Sequence, residues 1–366
     1  MDGKRIKVVI IDDSVTYRAI LSRVLSSING CEVVGVASNG KVGLDMIALH
    51  NPDIVTLDIE MPVMGGLETL EHIRKKYKDI GTIIVSSANA HSADQTMEAL
   101  SHGCLEFIVK PATKSLGEAQ EELKTQICHI LSIYRKKMSD KFTKSPAAAP
   151  SARIAAPVKS AVIKEPRIPE LIAIGSSTGG PRALEKLITA LPGSIPVPVL
   201  IVQHMPALFT KSLAKNINEK SALTVCEAVD GQSISAGNVY IAAGGRHMAV
   251  AKGPDGRACI TINDDAPENS CRPSVDVLFR SLAKVYRPER ILCVILTGMG
   301  TDGVKGVRSL QEKGGGYCIT ESEKSCVVYG MPRSVAEAKL THEPLDLKKI
   351  AERIIGICMH RKRQAI

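Results

Sequence analysis

The sequence predicts an α/β protein made of two doubly wound parallel-sheet domains joined by a flexible linker. Three observations predict it. Apolar, β-branched runs alternate with helical patterns on both sides of a central Pro-rich break, as expected of strand–helix units feeding a parallel sheet. The chain has 366 residues, room for two or three domains. Aromatic residues are only 3% and tryptophan is absent, so Ile, Val, Leu and Ala must fill the cores, which suits strands buried on both faces.

In residues 1–137 the strands read as KVVIID, CEVVGVAS, DIVTLDI, GTIIVSS and EFIVKP. Between them lie the helical stretches VTYRAILSRVLSSI, VGLDMIALH, GLETLEHIRKKY and DQTMEALSHG, and a longer helix follows around EELKTQICHILSIYRKK. Residues 138–168 carry Pro146, Pro150, Pro157 and Pro166 among Ala, Ser and Lys, and read as an extended tether. Residues 169–366 resume the rhythm with LIAIG, the turn SSTGG and a helix opened by Pro181, a favoured first helical position. The buried runs PVPVLIVQ and RILCVILTG supply two further strands.

Composition narrows the function classes. With 44% hydrophobic and 23% charged residues, wholesale disorder is excluded. The net charge of +9 is unevenly spread: 16 basic against 17 acidic residues in 1–137, 6 against 2 in 138–168, and 25 against 19 beyond. Arg361, Lys362 and Arg363 account for three of the last excess and read as a solvated tail, and the scarcity of aromatics disfavours stacking on single-stranded nucleic acid. Ten cysteines are scattered from Cys31 to Cys358 without a CxxC pair or a zinc-finger-type Cys/His pattern, which argues against both a disulfide framework and zinc. The opening MDGKRIKVVIIDD has too short an apolar run for a signal peptide, and no later stretch approaches the roughly 18 apolar residues of a membrane span. A cytoplasmic protein is expected.

Functional groups of a doubly wound sheet gather beyond the carboxyl ends of its strands. In the first domain those ends carry Asp12 and Asp13, Asp58, Ser86 and Lys110. Converging carboxylates repel unless a cation joins them, and hard oxygen ligands with open positions suit Mg²⁺. One acid can then accept a phosphoryl group as an acyl phosphate, with the Lys110 ammonium offsetting charge on its oxygens. Asp13 and Ser14 taken alone fit a helix cap equally well.

In the second domain Gly175, Ser177 and Gly179 fit G-x-S-x-G, which puts Ser177 on a sharp strand-to-helix turn with its hydroxyl exposed. Gly175 and Gly180 also have phosphate-loop spacing, but Pro181 stands where that motif needs Lys. His204 directly follows PVPVLIVQ, and Asp302 follows RILCVILTG, so a nucleophile, a base and an orienting acid end three strands. Chain order in one hydrolase class would choose His342 as base instead; it lies in the irregular-looking LTHEPLD and is kept in reserve. Gly298, Gly300 and Gly303 spell a dinucleotide fingerprint with Glu321 downstream, but Asp302 inside that turn would set a carboxylate against a pyrophosphate.

Taken together, DD, LDIEMPVMGG, S and KP at successive strand ends strongly resemble the receiver domain of two-component response regulators over residues 5 to about 125. The resemblance implies a flavodoxin-like fold, Asp58 as phosphoacceptor, Asp12 and Asp13 with Asp58 as Mg²⁺ ligands, Ser86 as a phosphoryl contact and Phe107 as an aromatic switch. Gly65 departs from the usual Asp and loses a turn-forming carboxylate. AIGSSTGGP, IVQHMP and LTGMGTDG closely resemble the methylesterase domain of chemotaxis response regulators over most of residues 169–357. That implies a Rossmann-like domain acting as protein-glutamate methylesterase, often also glutamine deamidase, with Ser177 as nucleophile, His204 as base and Asp302 as orienting acid. Thr178 and the Met299 backbone become oxyanion candidates. Mg²⁺ then belongs to the receiver and the esterase needs no cofactor. The implied partners are methyl-accepting receptors and a chemotaxis histidine kinase, with no nucleic acid and membrane contact only through receptors. A receiver with a DNA-binding output fits poorly, because such a module needs far fewer residues than 169–366.

Overall fold

The computed structural model describes residues 5–111, 115–142 and 166–359. The first domain runs β1 (Ile6–Ile11), α1 (Val15–Ser26), β2 (Cys31–Ala37), α2 (Gly40–His50), β3 (Ile54–Asp58), α3 (Gly66–Lys76), β4 (Gly81–Ser86), α4 (Ala90–Ser101), β5 (Glu106–Val109) and α5 (Leu116–Phe142). Its five strands are parallel in the order β2-β1-β3-β4-β5. Every residue from Val8 to Ile11 is buried, because helices cover both faces of the sheet. Ser14, Asn39 and Asn89 start α1, α2 and α4 by accepting a backbone N–H three residues on.

The second domain runs β6 (Leu171–Ser176), α6 (Gly180–Thr189), β7 (Val199–Gln203), α7 (Phe209–Lys220), β8 (Thr224–Glu227), β9 (Asn238–Ile241), β10 (His247–Lys252), β11 (Ala258–Asn263) and α8 (Val275–Val285). It continues with β12 (Ile291–Ile295), α9 (Val304–Glu312), β13 (Tyr317–Glu321), α10 (Met331–Glu337), β14 (Glu343–Leu345) and α11 (Leu347–Met359). The seven-stranded parallel sheet has the order β14-β13-β12-β6-β7-β9-β8, and β10 and β11 form a separate antiparallel hairpin. From β6 the chain winds first toward β8 and then back toward β14. The crevice beyond β6, between β7 and β12, is therefore the switch point where such folds bind ligands.

LTHEPLD, irregular to the eye, supplies the edge strand β14. Three residues are too short to show a period, and an edge tolerates Pro344. Helix α5 continues to Phe142, beyond the expected end of the first domain at 137. Most of the expected tether, 143–165, lies outside the described residues, as do His360 and the basic tail.

The two domains pack together. Lys215 of α7 pairs with Asp94 of α4 at 2.6 Å, and Ser101 donates to Glu185 of α6 at 2.7 Å. Phe107 of β5 stacks on Phe209 of α7 with ring centroids 4.9 Å apart.

Candidate active site

Beyond the receiver strands, Asp12 follows β1 and Asp58 ends β3, paired neighbours in register Ile11↔Leu57. Both carboxylates are buried, with exposed Asp13 alongside, and one oxygen from each lies within 4.8 Å of the others. Lys110 reaches over them, its Nζ 2.6 Å from Asp58 Oδ2 and 3.0 Å from Asp12 Oδ2. Burial pushes Asp58 up to about 6 in spite of that ammonium, and raises Asp12 as well. Asp12 Oδ2 is buried without a well-formed hydrogen bond. An acidic cluster of this kind, three carboxylates gathered against the Lys110 ammonium, fits a hard divalent cation of the receiver type.

Ser86 ends β4 with its hydroxyl accepting from Thr96 at 2.9 Å, still turned toward α4. Phe107 points at the other domain through its stack on Phe209. Gly65 sits at the N-cap of α3 with ordinary extended backbone, so the missing carboxylate removes a cap and leaves the loop path unchanged. The demanding position is Gly66, where a Cβ would come within 2.2 Å of the Asp58 carbonyl oxygen.

In the second domain Ser177 leaves β6 on the expected turn. Its N–H donates to Thr297 at 3.0 Å, and its carbonyl accepts from Gly180 at 2.7 Å while Gly179 takes φ 74°. Ser176, one residue back, is buried and donates to Gln203 Oε1 at 2.7 Å; the Gln203 amide in turn donates to the Ser177 carbonyl at 2.9 Å. That brace separates the structural serine from the accessible one. His204, at the end of β7, hydrogen-bonds through Nε2 to Asp302 Oδ2 at 2.8 Å.

Asp302 is held at the start of α8 by the N–H groups of Val275 and Asp276 at 2.7 and 3.0 Å, by Ser274 at 2.8 Å and by Asn269 at 3.2 Å. Burial opposes its charge, but His204 and those donors outweigh burial and hold the carboxyl well below its usual range. Burial alone would lower the imidazole; the Asp302 bond, helped by Cys271, lifts His204 to about 9 instead. The His204 Nδ1 lies 3.5 Å from Cys271 Sγ.

Ser274, Asp276, Asn269 and Cys271 went unread in the sequence. Only the S-V-D at the start of α8 carried a signal, as a cap followed by a first-turn acid. The reserve base His342 lies elsewhere, accepting from the Cys318 amide at 3.1 Å with its ring against Tyr317. The dinucleotide reading fails on the amides at the start of α9: the Gly303 and Gly306 N–H groups donate to Asp276 at 3.0 and 2.6 Å, and Glu321 is occupied by the Thr297 amide. Met299 is exposed on that same turn, and Thr178 is half-buried next to Ser177.

The receiver meets this site directly. Glu106 of β5 accepts from the Gly179 amide at 3.0 Å, and His129 of α5 lies 3.1 Å from the Thr178 hydroxyl. Burial between the domains drives Glu106 up to about 7, against the pull of the Gly179 and Phe107 amides and Arg182. A cavity of about 280 Å³ remains, with Glu106, Phe107 and His129 on one side and Ser177, Thr178 and His204 on the other.

Residues 8–120 match the response regulator receiver domain and residues 172–354 match the CheB methylesterase family. The chain is 44% identical over 361 residues to a protein-glutamate methylesterase/protein-glutamine glutaminase of Desulfotalea psychrophila, covering 96% of this chain and 98% of that one. A relative of the same description from Bacillus subtilis is 39% identical over 98% of this chain and 99% of its own. The crystal structure of the Thermotoga maritima CheB methylesterase catalytic domain is 41% identical, covers 52% of this chain and 98% of its own, and superposes with a TM-score of 0.50. A receiver sheet packed over a serine–histidine–aspartate crevice, and likeness along almost the whole length, place the chain in one family: it is a chemotaxis response regulator of the CheB type, a receiver domain joined to a protein-glutamate methylesterase domain.

Proposed function

We propose that this chain hydrolyses glutamate methyl esters of methyl-accepting chemotaxis receptors, and deamidates receptor glutamines, under control of phosphorylation at Asp58. The observation that carries the reading is the convergence of Ser177 and His204 beyond β6 and β7 in a cavity roofed by the receiver, with Asp302 buried behind and bonded to the His204 ring. We divide the chain into a receiver at 1–137, a linker at 138–168 and a catalytic domain at 169–366.

Ser177 Oγ attacks the ester carbonyl carbon and gives its proton to His204. Because Nε2 is committed to Asp302, the accepting nitrogen is Nδ1, which must turn from Cys271 to Ser177. Asp302 keeps the ring in that tautomer and stabilises the imidazolium. Donors at the turn, with Thr178 and the Met299 backbone as candidates, hold the oxyanion. Methanol leaves with the proton from Nδ1, and water, deprotonated by the same nitrogen, hydrolyses the acyl-serine to glutamate. A glutamine side chain follows the same course with ammonia leaving.

In the receiver, Asp12, Asp13 and Asp58 would hold Mg²⁺, which neutralises phosphoryl oxygens when bound. Asp58 supplies the attacking oxygen, Lys110 pairs with the charge that develops, and Ser86 rotates from Thr96 to meet the phosphoryl group while Phe107 leaves its place on Phe209. The donor is a chemotaxis histidine kinase. No helix of the described residues is long and apolar enough to cross a membrane, and we place the protein in the cytoplasm, reaching the membrane through its receptors. Methanol release from methylated receptor membranes tests the reading. Wild-type chain should release it and Ser177→Ala should not; equal release by both would overturn it.

A further inference from the structure

A second cleft of about 300 Å³ adjoins the first at His204, Met205 and Pro206 and is otherwise lined by Gly245, Ser270, Cys271 and Arg272. Its residues all belong to the catalytic domain, so it stays open to solvent while the receiver is docked. Within it, His204 Nδ1 and Cys271 Sγ stand 3.5 Å apart. A tetrahedral zinc ion, with bonds of about 2.0–2.1 Å to nitrogen and about 2.3 Å to sulfur, spans such a pair at about 3.5 Å. The other ring nitrogen bonds a carboxylate, Asp302 Oδ2 at 2.8 Å, the arrangement that orients metal-binding histidines. His204, Cys271 and Asp302 indeed bring one ligand atom each within 4.8 Å.

The cysteine is presented rigidly. Glu268 and Cys271 exchange backbone hydrogen bonds at 3.1 and 2.9 Å across a tight turn, with Asn269 and Ser270 in left-handed conformation at φ 52° and 60°. The Asn269 amide pins that turn by donating to Asp276 at 3.0 Å and Asp302 at 3.2 Å. Arg272, which lines the cleft, is turned away, its guanidinium donating to the carbonyls of Asp264 and Asp265 at 3.0 and 3.2 Å. Ligands held in place by their neighbours lose little entropy on binding.

We propose that His204 and Cys271 form a binding site for a thiophilic divalent cation, zinc above all, that switches the esterase off. Binding displaces the protons on Nδ1 and Sγ, and water fills the remaining positions. The ion occupies the nitrogen that must accept the serine proton, so bound enzyme lacks its base whether or not the receiver is phosphorylated. The inhibitory consequence rests on His204 being that base; the binding itself does not.

The test uses the full chain with Mg²⁺ in excess throughout, so that the receiver carboxylates are satisfied. Cadmium should give a thiolate-to-metal ultraviolet absorption at one ion per chain. That band should vanish in Cys271→Ser and Cys271→Ala and persist in Cys128→Ser, an exposed cysteine on α5. His204→Gln should weaken cadmium binding at least tenfold. Zinc should inhibit methanol release reversibly on chelation, with the half-inhibiting concentration raised at least tenfold in Cys271→Ser, each variant scored against its own metal-free rate. A band or an inhibition unchanged in Cys271→Ser overturns the proposal. If the chain released no methanol at all, the cadmium band would still decide the site, so a failed esterase reading is told apart from a failed metal site.

Discussion

At the scale of single residues, Ser176 and Ser177 show how neighbours of identical chemistry take opposite roles. Ser176 is spent on Gln203 inside the sheet, while Ser177 faces the cavity. Ser177→Ala and His204→Ala should each lower kcat for methanol release by several orders of magnitude with the thermal midpoint little changed. Asp302→Asn should cost about ten-thousand-fold, because a neutral amide supports the wrong tautomer. Ser176→Ala strands a buried Gln203 acceptor and should cost about 1–3 kcal/mol of stability with a far smaller loss of rate. Comparing denaturant midpoints with turnover across the four variants checks the division; a dead, fully stable Ser176→Ala would reverse it. In the receiver, acetyl-phosphate labelling should require Mg²⁺ and disappear in Asp58→Asn, while chelation leaves basal methanol release in place. Equal labelling after chelation would remove the metal from the reading.

Between elements, the decisive contact is β5 and α5 against the β6–α6 turn. The Phe107–Phe209 stack contributes about 0.5–1.5 kcal/mol beyond its buried area. Phe107→Ala should therefore loosen the docking and raise basal esterase rate several-fold without phosphorylation. Glu106 adds a pH dependence. Docked, its carboxyl titrates at about 7; released into water it returns toward 4.5. The docked form thus binds the extra proton, so docking is strongest below the ordinary carboxylate range and weakens as pH rises through about 7. Hydrogen exchange of α7 and of the β6–α6 turn should accelerate over that interval, and Glu106→Gln should flatten the change. An identical pH response in Glu106→Gln would assign it to other groups.

For the whole molecule, we propose that the receiver acts as a cover, since its β5 and α5 lie against the turn and cavity that hold Ser177. A tether keeps such a cover at high effective concentration, so modest contacts suffice to hold it. Deleting residues 1 to about 150 should raise methanol release on receptor membranes, and phosphorylation at Asp58 should raise it in the intact chain, by shifting the docked population. A truncated chain no faster than the unphosphorylated full chain would refute inhibition by covering.

Period and strand-end chemistry carried much of this protein in the linear chain. Five β-branched runs with helices between them yield the first sheet, and Asp12, Asp58 and Lys110 meet because each ends a parallel strand, so that adjacency follows from topology alone. Strand ends likewise bring Ser177 and His204 to one cavity, while Asp302 reaches His204 from the turn between β12 and α9. Short elements such as β14 were not legible, since three residues carry no period. Neither were partners whose meeting depends on packing. Glu106 and Gly179 are 73 residues apart, and His204 and Cys271 are 67 apart. The cysteine spacing argued against zinc, because local spacing records only ligands that are close along the chain. The turn at Asn269 and Ser270 is fixed by the Asp302 network, and only the folded chain brings the thiol to the imidazole.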